Sequence, residues 1–341
     1  MARPKTIKII LAIESSCDET SCALINNNFK ILSNVTYSQI PLHQKTNGVV
    51  PEVASREHSV KIIPTIKNAL RTAQRTLKDI DAIAVTAGPG LIGSLLVGVE
   101  TAKALAWALD LPIIPVNHIY GHLVSPLANA KINIQKIKFP ILALTASGGH
   151  TQLVLIKNWL NYKTVGQTVD DAAGETYDKI ATLLGLPYPG GPVLEKLARS
   201  FSDKTKIVFP SPKLTDTDFD FSFSGLKTAV LYFLRNHPNA NLSEIAFSSQ
   251  QAIVKALTEK TFRAFLKFQP KTVFITGGVA ANQVLQKAVK NRFTKLCPIY
   301  FPPPGFLGDN GGMIAIAGQI LAKNNQIKKW SEVKANPNLT L

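Results

Sequence analysis

Residues 7–25 read IKIILAIESSCDETSCALI. An apolar run, Ile7–Ile13, passes through a polar link, Glu14–Thr20, into a second apolar run, Ser21–Ile25. Two short apolar runs around a polar link predict a buried β-hairpin. Asn26-Asn27-Asn28 supplies the next turn, and Lys30–Tyr37 reads as a third strand. The same opening returns in mid-chain as Ile141–Thr145, the link Ala146–His150, Thr151–Ile156, the turn Lys157-Asn158 and Lys163–Thr168. After the first opening a helix is predicted over about Ser59–Leu77, with Val60, Ile63, Ile66, Ala69 and Leu70 on its inward face. Strand Ala82–Thr86, the turn Gly88-Pro89-Gly90, a helix to about Leu109 and strand Ile113–Val116 complete that half. After the second opening come two helices, a helix Ser248–Phe268, strand Thr272–Thr276, the turn Gly277-Gly278, a helix Ala281–Lys290, strand Ile299–Phe301 and a last helix over about Met313–Lys323. One order of elements written twice predicts an α/β protein of two like lobes, with glycine turns at the strand ends bordering a ligand cleft.

The 341 residues suffice for two domains of ordinary size, and 45% hydrophobic residues suffice for their cores. The most apolar stretch, Ala82–Ala108, is interrupted by Gly88, Pro89, Gly90, Gly93, Ser94, Gly98 and Glu100. A membrane span needs about 20 largely apolar residues, so a buried strand and helix are expected there. Cys17, Cys22 and Cys297 form no CxxC pair or disulfide framework, which suits a reducing compartment. With the first strand so close to the start, a cytoplasmic location is expected. A net charge of +16 points to polyanionic partners, nucleic acid foremost.

His118 and His122 stand four residues apart, a spacing that sets both imidazoles on one helix face. Such a pair can bind a divalent cation when a carboxylate completes the set. Asp309 follows the last strand of the second half as His118 follows that of the first, so the repeat makes it the third candidate ligand. The glutamate of HExxH is missing, which weakens a metalloendopeptidase reading. The turns Gly88-Pro89-Gly90, Ser147-Gly148-Gly149 and Gly277-Gly278 match neither GxxxxGKS/T nor GxGxxG, but their backbone N–H groups suit a phosphate held between lobes. Asn282, beside the last of these turns, is a candidate for a ribose or base contact. Asp18 and Glu19 in the first hairpin link are candidates to orient a reacting group. Phe219–Lys227 reads as an edge strand or loop, and Lys204, Lys206, Lys213 and Lys227 as phosphate contacts. A small-molecule kinase is a further enzyme class left open as an alternative.

These motifs together resemble the tRNA N6-adenosine threonylcarbamoyltransferase family, once called O-sialoglycoprotein endopeptidases. The resemblance runs through Ala12–Thr20, Gly48–Arg56, Thr86–Leu91, His118…His122, Ser147–Thr151, Asp170–Glu175, Phe221–Lys227, Gly277–Asn282 and Asp309–Gly311. It is nearest to the bacterial branch. It implies the duplicated, two-lobed actin-like fold (that of sugar kinases and Hsp70, ribonuclease H-like in each half) with a central nucleotide cleft. The lobes are expected at residues 1–138 and 139–341, the second carrying Asp309 and its last helices free to pack back on the first. It implies iron or zinc on His118, His122 and Asp309. It implies threonylcarbamoyl-AMP on Thr145, Ala146, Ser147, Gly148, Gly149, Asp178, Gly191 and Asn282, with a ribose contact at Glu195. The acceptor it implies is N6 of adenosine 37 in tRNAs that read codons beginning with A. A paralogous partner of the same fold and a small P-loop ATPase are the expected protein partners. Asn117 and Gly308 depart from the residues frequent in the family and leave the three ligand positions intact.

Overall fold

The computed structural model describes residues 7–46, 48–201, 205–211 and 217–341. It divides into two compact units, Met1–Lys136 with Pro302–Leu341, and Ile137–Phe301.

The first unit opens with β1 (Ile9–Glu14), β2 (Glu19–Asn26) and β3 (Ile31–Ser38), followed by the short α1 (Ile40–His43) and α2 (Pro51–Thr72). Then come β4 (Ala82–Gly88), α3 (Ile92–Leu109), β5 (Ile113–Asn117) and α4 (His118–Val124). The sheet order is β3-β2-β1-β4-β5. β1 and β2 pair antiparallel, while β4 lies parallel to both β1 and β5. Leu11, Ile13, Val85 and Val99 pack in one core with Ile62 and Ile66 of α2.

Helix α2 departs from the sequence expectation. It starts at Pro51, whose fixed φ and missing N–H suit the first helical turn. Val60 and Ile63, assigned inward by apolar character, are 63% and 45% exposed. The inward face is Ala54, His58, Ile62, Thr65, Ile66, Ala69 and Leu70. Two polar residues on that face hid its period. Helix α3 is long and apolar enough to cross a membrane by length and composition, and its Leu95, Val99, Ala102 and Ala106 are buried.

The second unit repeats the plan. It opens with β6 (Ile141–Ala146), β7 (Thr151–Asn158) and β8 (Asn161–Gln167). Helices α5 (Ala173–Leu183), α6 (Gly190–Arg199), α7 (Ser224–Asn236) and α8 (Leu242–Phe268) follow. β9 (Thr272–Thr276), α9 (Gln283–Phe293) and β10 (Ile299–Tyr300) close it. The sheet order is β10-β9-β6-β7-β8, the first unit's order with each strand replaced by its counterpart.

Phe219–Lys227 is neither a free loop nor an edge strand throughout. Phe221 forms one parallel bridge with Thr168, and Ser224 then begins α7, a helix that the alternation of aromatic and polar residues concealed. Phe221 and Phe223 are buried and serve packing. Lys204 and Lys213 lie outside the described residues, while Lys206 and Lys227 lie within them.

After β10 the chain returns to the first unit, where α10 (Gly311–Lys323) packs on β1 and β2. Its N-terminal N–H groups are satisfied by three side chains. Gly311 N donates to Ser21 Oγ at 2.7 Å, Gly312 N to Asn34 Oδ1 at 3.0 Å and Met313 N to Asn310 Oδ1 at 3.0 Å. A Cβ on Gly311 would stand 2.7 Å from the backbone of Cys22 and Ala23, so only glycine allows this approach.

Candidate metal centre and glycine turns

The metal candidates are built by two helix starts. Asn117 caps α4, its Oδ1 accepting from Ile119 N at 2.9 Å and Tyr120 N at 3.1 Å. The cap begins the helix at His118 and places His122 one turn on. Asp309 immediately precedes the cap residue of α10, so the contacts that fix Gly311 also fix its carboxylate. His122 Nε2 lies 3.0 Å from Asp309 Oδ1, and His118 Nε2 lies 3.5 Å from the same oxygen. The imidazoles stand edge to face with centroids 4.7 Å apart. One donor from each of the three residues falls within 4.8 Å of the others.

This donor set fits a divalent cation. Metal–ligand bonds of about 2.1 Å set neighbouring donors about 3.0–3.5 Å apart, and both histidine-to-Asp309 distances fall in that range. His122 Nδ1 is buried with no hydrogen-bond partner among the described residues.

A second layer escaped the sequence reading. Glu14, fully buried at the end of β1, brings Oε2 to 3.2 Å from His118 Nδ1. Ser16 Oγ lies 3.0 Å from the same nitrogen. Thr86 Oγ1 donates to Glu14 Oε2 at 2.6 Å, and Ser16 N to Glu14 Oε1 at 2.5 Å. A carboxylate on the far nitrogen of a ligand histidine fixes its ring and raises its basicity. Burial disfavours the His118 imidazolium, but Asp309 and Glu14 outweigh it and hold the pKa up at about 9 in the metal-free protein. The legible signal was a lone acid closing an otherwise apolar strand.

Asp18 and Glu19 lie in and after the β1–β2 link. Asp18 is buried, and its carbonyl accepts from Gln39 N at 3.0 Å. Ser38 Oγ donates to Glu19 Oε1 at 3.2 Å. Burial, then the charges of Asp18 and Asp309, push the Glu19 carboxyl up to about 10, so it carries a proton at neutral pH. Burial likewise pushes the Cys17 thiol up, which makes it a poor nucleophile.

The three glycine turns differ. Gly88-Pro89-Gly90 is covered by the chain's own tail: Asn336 N donates to Ala87 O at 2.7 Å, and Gly90 N to Pro337 O at 3.3 Å. This corrects the expectation that all three turns offer N–H groups to a ligand. The tail, far away in sequence, fills the first. By contrast, Gly148 and Gly149 are exposed, with no atom near where a Cβ would stand. The turn they form is closed by Ser147 N donating to His150 O at 2.8 Å. Thr145 and Ala146 are buried below it, Thr145 Oγ1 lying 2.9 Å from Thr276 Oγ1. Gly277 has φ +85°, and a Cβ there would meet Ala146 O at 2.3 Å. It therefore joins β9 to the foot of the Ser147 turn.

The other residues expected to bind substrate hold helix starts. Asp178 Oδ1 accepts from Gly190 N at 2.7 Å at the start of α6, next to Gly191. Glu195 Oε1 accepts from Gln283 N at 3.0 Å at the start of α9, and from Arg199 at 2.6 Å. Asn282 caps α9 through Leu285 N at 2.9 Å and donates to Gln250 Oε1 at 2.8 Å.

Two like sheets, each opening in a hairpin and ending its first strand at a polar turn, define an α/β protein of the actin-like, sugar-kinase type. HypF of T. kodakarensis shares the fold, with a TM-score of 0.62 at 14% identity over 93% of this chain and 48% of that one. Component A of (R)-2-hydroxyglutaryl-CoA dehydratase from Acidaminococcus fermentans aligns with a TM-score of 0.55 at 13% identity over 94% of this chain and 99% of its own. Within that class, the sequence profile of the tRNA N6-adenosine threonylcarbamoyltransferases matches residues 30–316, and the chain belongs to that family. The transferase so named from Thermosipho africanus is 46% identical over 98% of this chain and 100% of its own. That from Syntrophotalea carbinolica is 45% identical over 91% and 90%. The protein is a transferase that forms threonylcarbamoyladenosine in tRNA.

Proposed function

We propose that the donor is threonylcarbamoyl-AMP, that the acceptor is N6 of adenosine 37 in tRNAs reading codons that begin with A, and that one divalent ion takes part. The observation that carries this is the His118–His122–Asp309 cluster with Glu14 behind it, a ligand set with its supporting carboxylate. His118, His122 and Asp309 would hold iron(II) or zinc. When bound, such an ion supplies Lewis acidity toward oxygens of the mixed anhydride.

The chain's own residues bind and orient. The backbone N–H groups of the exposed Gly148 and Gly149 suit the adenylate phosphate, with the buried Thr145, Ala146 and Ser147 as their footing. Asp178, Gly191, Glu195 and Asn282, gathered at the starts of α6 and α9, suit ribose and adenine. In the transfer, N6 bonds to the carbamoyl carbon, the bond from that carbon to the phosphate oxygen breaks, AMP leaves and N6 loses a proton. Asp18 accepts that proton, while Glu19, whose pKa burial raises, holds the acceptor by donating a hydrogen bond. The leaving group is already good, so positioning contributes most of the acceleration. The first unit thus serves the ion and the proton, and the second serves the nucleotide. A paralogous partner of the same fold, a small P-loop ATPase and a cytoplasmic location belong to this reading.

The test combines purified protein, tRNA, threonine, bicarbonate and ATP with the adenylate-forming enzyme and both partners, then digests the tRNA for mass spectrometry. Modified adenosine is expected only with this chain. His118→Ala is expected to abolish it and to lower the metal content measured by elemental analysis. Full transfer by metal-free His118→Ala protein would refute the metal's part. No product with active partners would favour the kinase or endopeptidase alternatives.

A further inference from the structure

The second unit contains a cavity of about 760 Å³ between residues 205–211, α8 and α9. That volume falls in the range of small-molecule sites, about 300–1,000 Å³. None of the residues assigned above lines it. One wall is apolar, formed by Ile207, Val208 and Phe209. Val208 is 89% exposed, an apolar surface left to water beside a cavity. Thr258 lines the cavity from α8 and is 7% exposed, yet its hydroxyl has no hydrogen-bond partner among the described residues. A buried hydroxyl without a partner costs about 1–3 kcal/mol unless a ligand or water supplies one.

The cavity also carries positive charge. Lys255 of α8 and Arg292 of α9 both line it and are exposed. The Arg292 guanidinium is held in place over the Phe262 ring at 3.8 Å, with Glu259 Oε2 at 3.4 Å from its Nη2. Among the described residues Glu259 is the one acid in the lining. An apolar wall, a hydroxyl awaiting a partner and two cations match the parts of a nucleotide: base, sugar or base edge, and phosphate. Nucleotides inside a duplex hide their base faces, while those in loops and at ends present them.

We propose that this cavity seats one unstacked nucleotide of the tRNA, its base against the wall of Ile207, Val208 and Phe209 and its phosphate on Lys255 and Arg292. The proposal rests on tRNA as the substrate and is independent of the donor and the metal. Single-stranded RNA is held in this way, by a base face on an apolar or aromatic surface and by cations along the backbone.

The test measures binding of unmodified tRNA over a salt series, with no donor present. It compares wild-type protein with Lys255→Gln, Val208→Ser and the near-isosteric Thr258→Val. Lys255→Gln is expected to weaken binding about three- to tenfold and to lower the salt slope by about 0.7, the value for one single-strand phosphate contact. Val208→Ser and Thr258→Val are expected to weaken binding about three- to tenfold with the slope unchanged, as loss of an uncharged base contact would. Metal content should match wild type in all three, which separates this result from a failure of the metal site. Wild-type affinity and slope in Lys255→Gln and Thr258→Val would overturn the proposal. So would AMP binding that these variants weaken while tRNA binding stays as in wild type, since the cavity would then be a site for a free mononucleotide.

Discussion

Glu14 and Thr145 occupy the same place in two like sheets, and they do opposite things with it. In the first unit Ile10 pairs with Ala82 and Ile13 with Val85; in the second Ile141 pairs with Thr272 and Leu144 with Ile275. One residue further along, Glu14 corresponds to Thr145 and Thr86 to Thr276. A bond joins the two strands at both places, Thr86 Oγ1 to Glu14 Oε2 at 2.6 Å and Thr145 Oγ1 to Thr276 Oγ1 at 2.9 Å. The hydroxyl pair carries no charge, Thr276 Oγ1 donating onward to Leu144 O at 3.3 Å, and it underlies a turn of exposed glycines. The buried carboxylate has to be compensated, and it is met by His118, Ser16 and Thr86. The duplicated backbone therefore supplies a position, and one side chain decides whether that position braces a metal ligand or underlies a glycine turn.

The comparison can be broken most severely by Thr145→Glu. It would bury a carboxylate where a neutral hydroxyl now sits, and about 3–5 kcal/mol of stability should be lost in urea unfolding. A milder result would mean that the Glu14 carboxylate owes little of its stability to His118. Glu14→Gln keeps the volume and removes the charge behind His118. Metal affinity should fall about 10–100-fold in a competition titration, while the fold persists. Unchanged affinity would demote Glu14 to a packing residue. Thr276→Val removes the second unit's hydroxyl pair and should cost about 1 kcal/mol without changing metal content.

The smallest effect is expected at Asp170, an acid of the second unit placed in a loop rather than on the sheet. It accepts from Ser222 Oγ at 2.5 Å, Phe223 N at 2.7 Å and Ser224 Oγ at 2.8 Å. Burial works against its charge, but these bonds prevail and hold its pKa below the usual carboxylate value. Its folded pKa is thus lower than its unfolded one. The stabilisation is present above about pH 4 and disappears as pH falls through the folded value. Asp170→Asn should flatten this acid limb in thermal melts at pH 2–5. At neutral pH the loss should stay below about 1 kcal/mol, because the residue is largely exposed and its burial only partial.

Much of the architecture was legible in the sequence because strands and turns are local. Thr272–Thr276 was read to the residue, and the hairpin openings to within a few residues. Helix α2 was misplaced because its start rests on Pro51 and its inward face includes His58 and Thr65, which an apolar count passes over. Helix α7 was missed because Phe221 and Phe223 alternate like a strand while serving as anchors for the chain entering the helix. The grouping of His118, His122 and Asp309 was expected from the repeat. In the structure all three belong to one unit, because Pro302–Leu341 packs with the first.

The sequence by itself determined the duplicated order of elements, the α4 histidine pair and the family, since each is written in local spacing and in motifs kept in order. Only the tertiary structure decided that Glu14 stands behind His118, that residues 336–337 cover the first glycine turn, and that Asp178, Glu195 and Asn282 hold helix starts. Those contacts join positions distant along the chain. A buried charge or N–H group takes whichever partner the packed fold brings within hydrogen-bond distance, and local sequence does not name that partner.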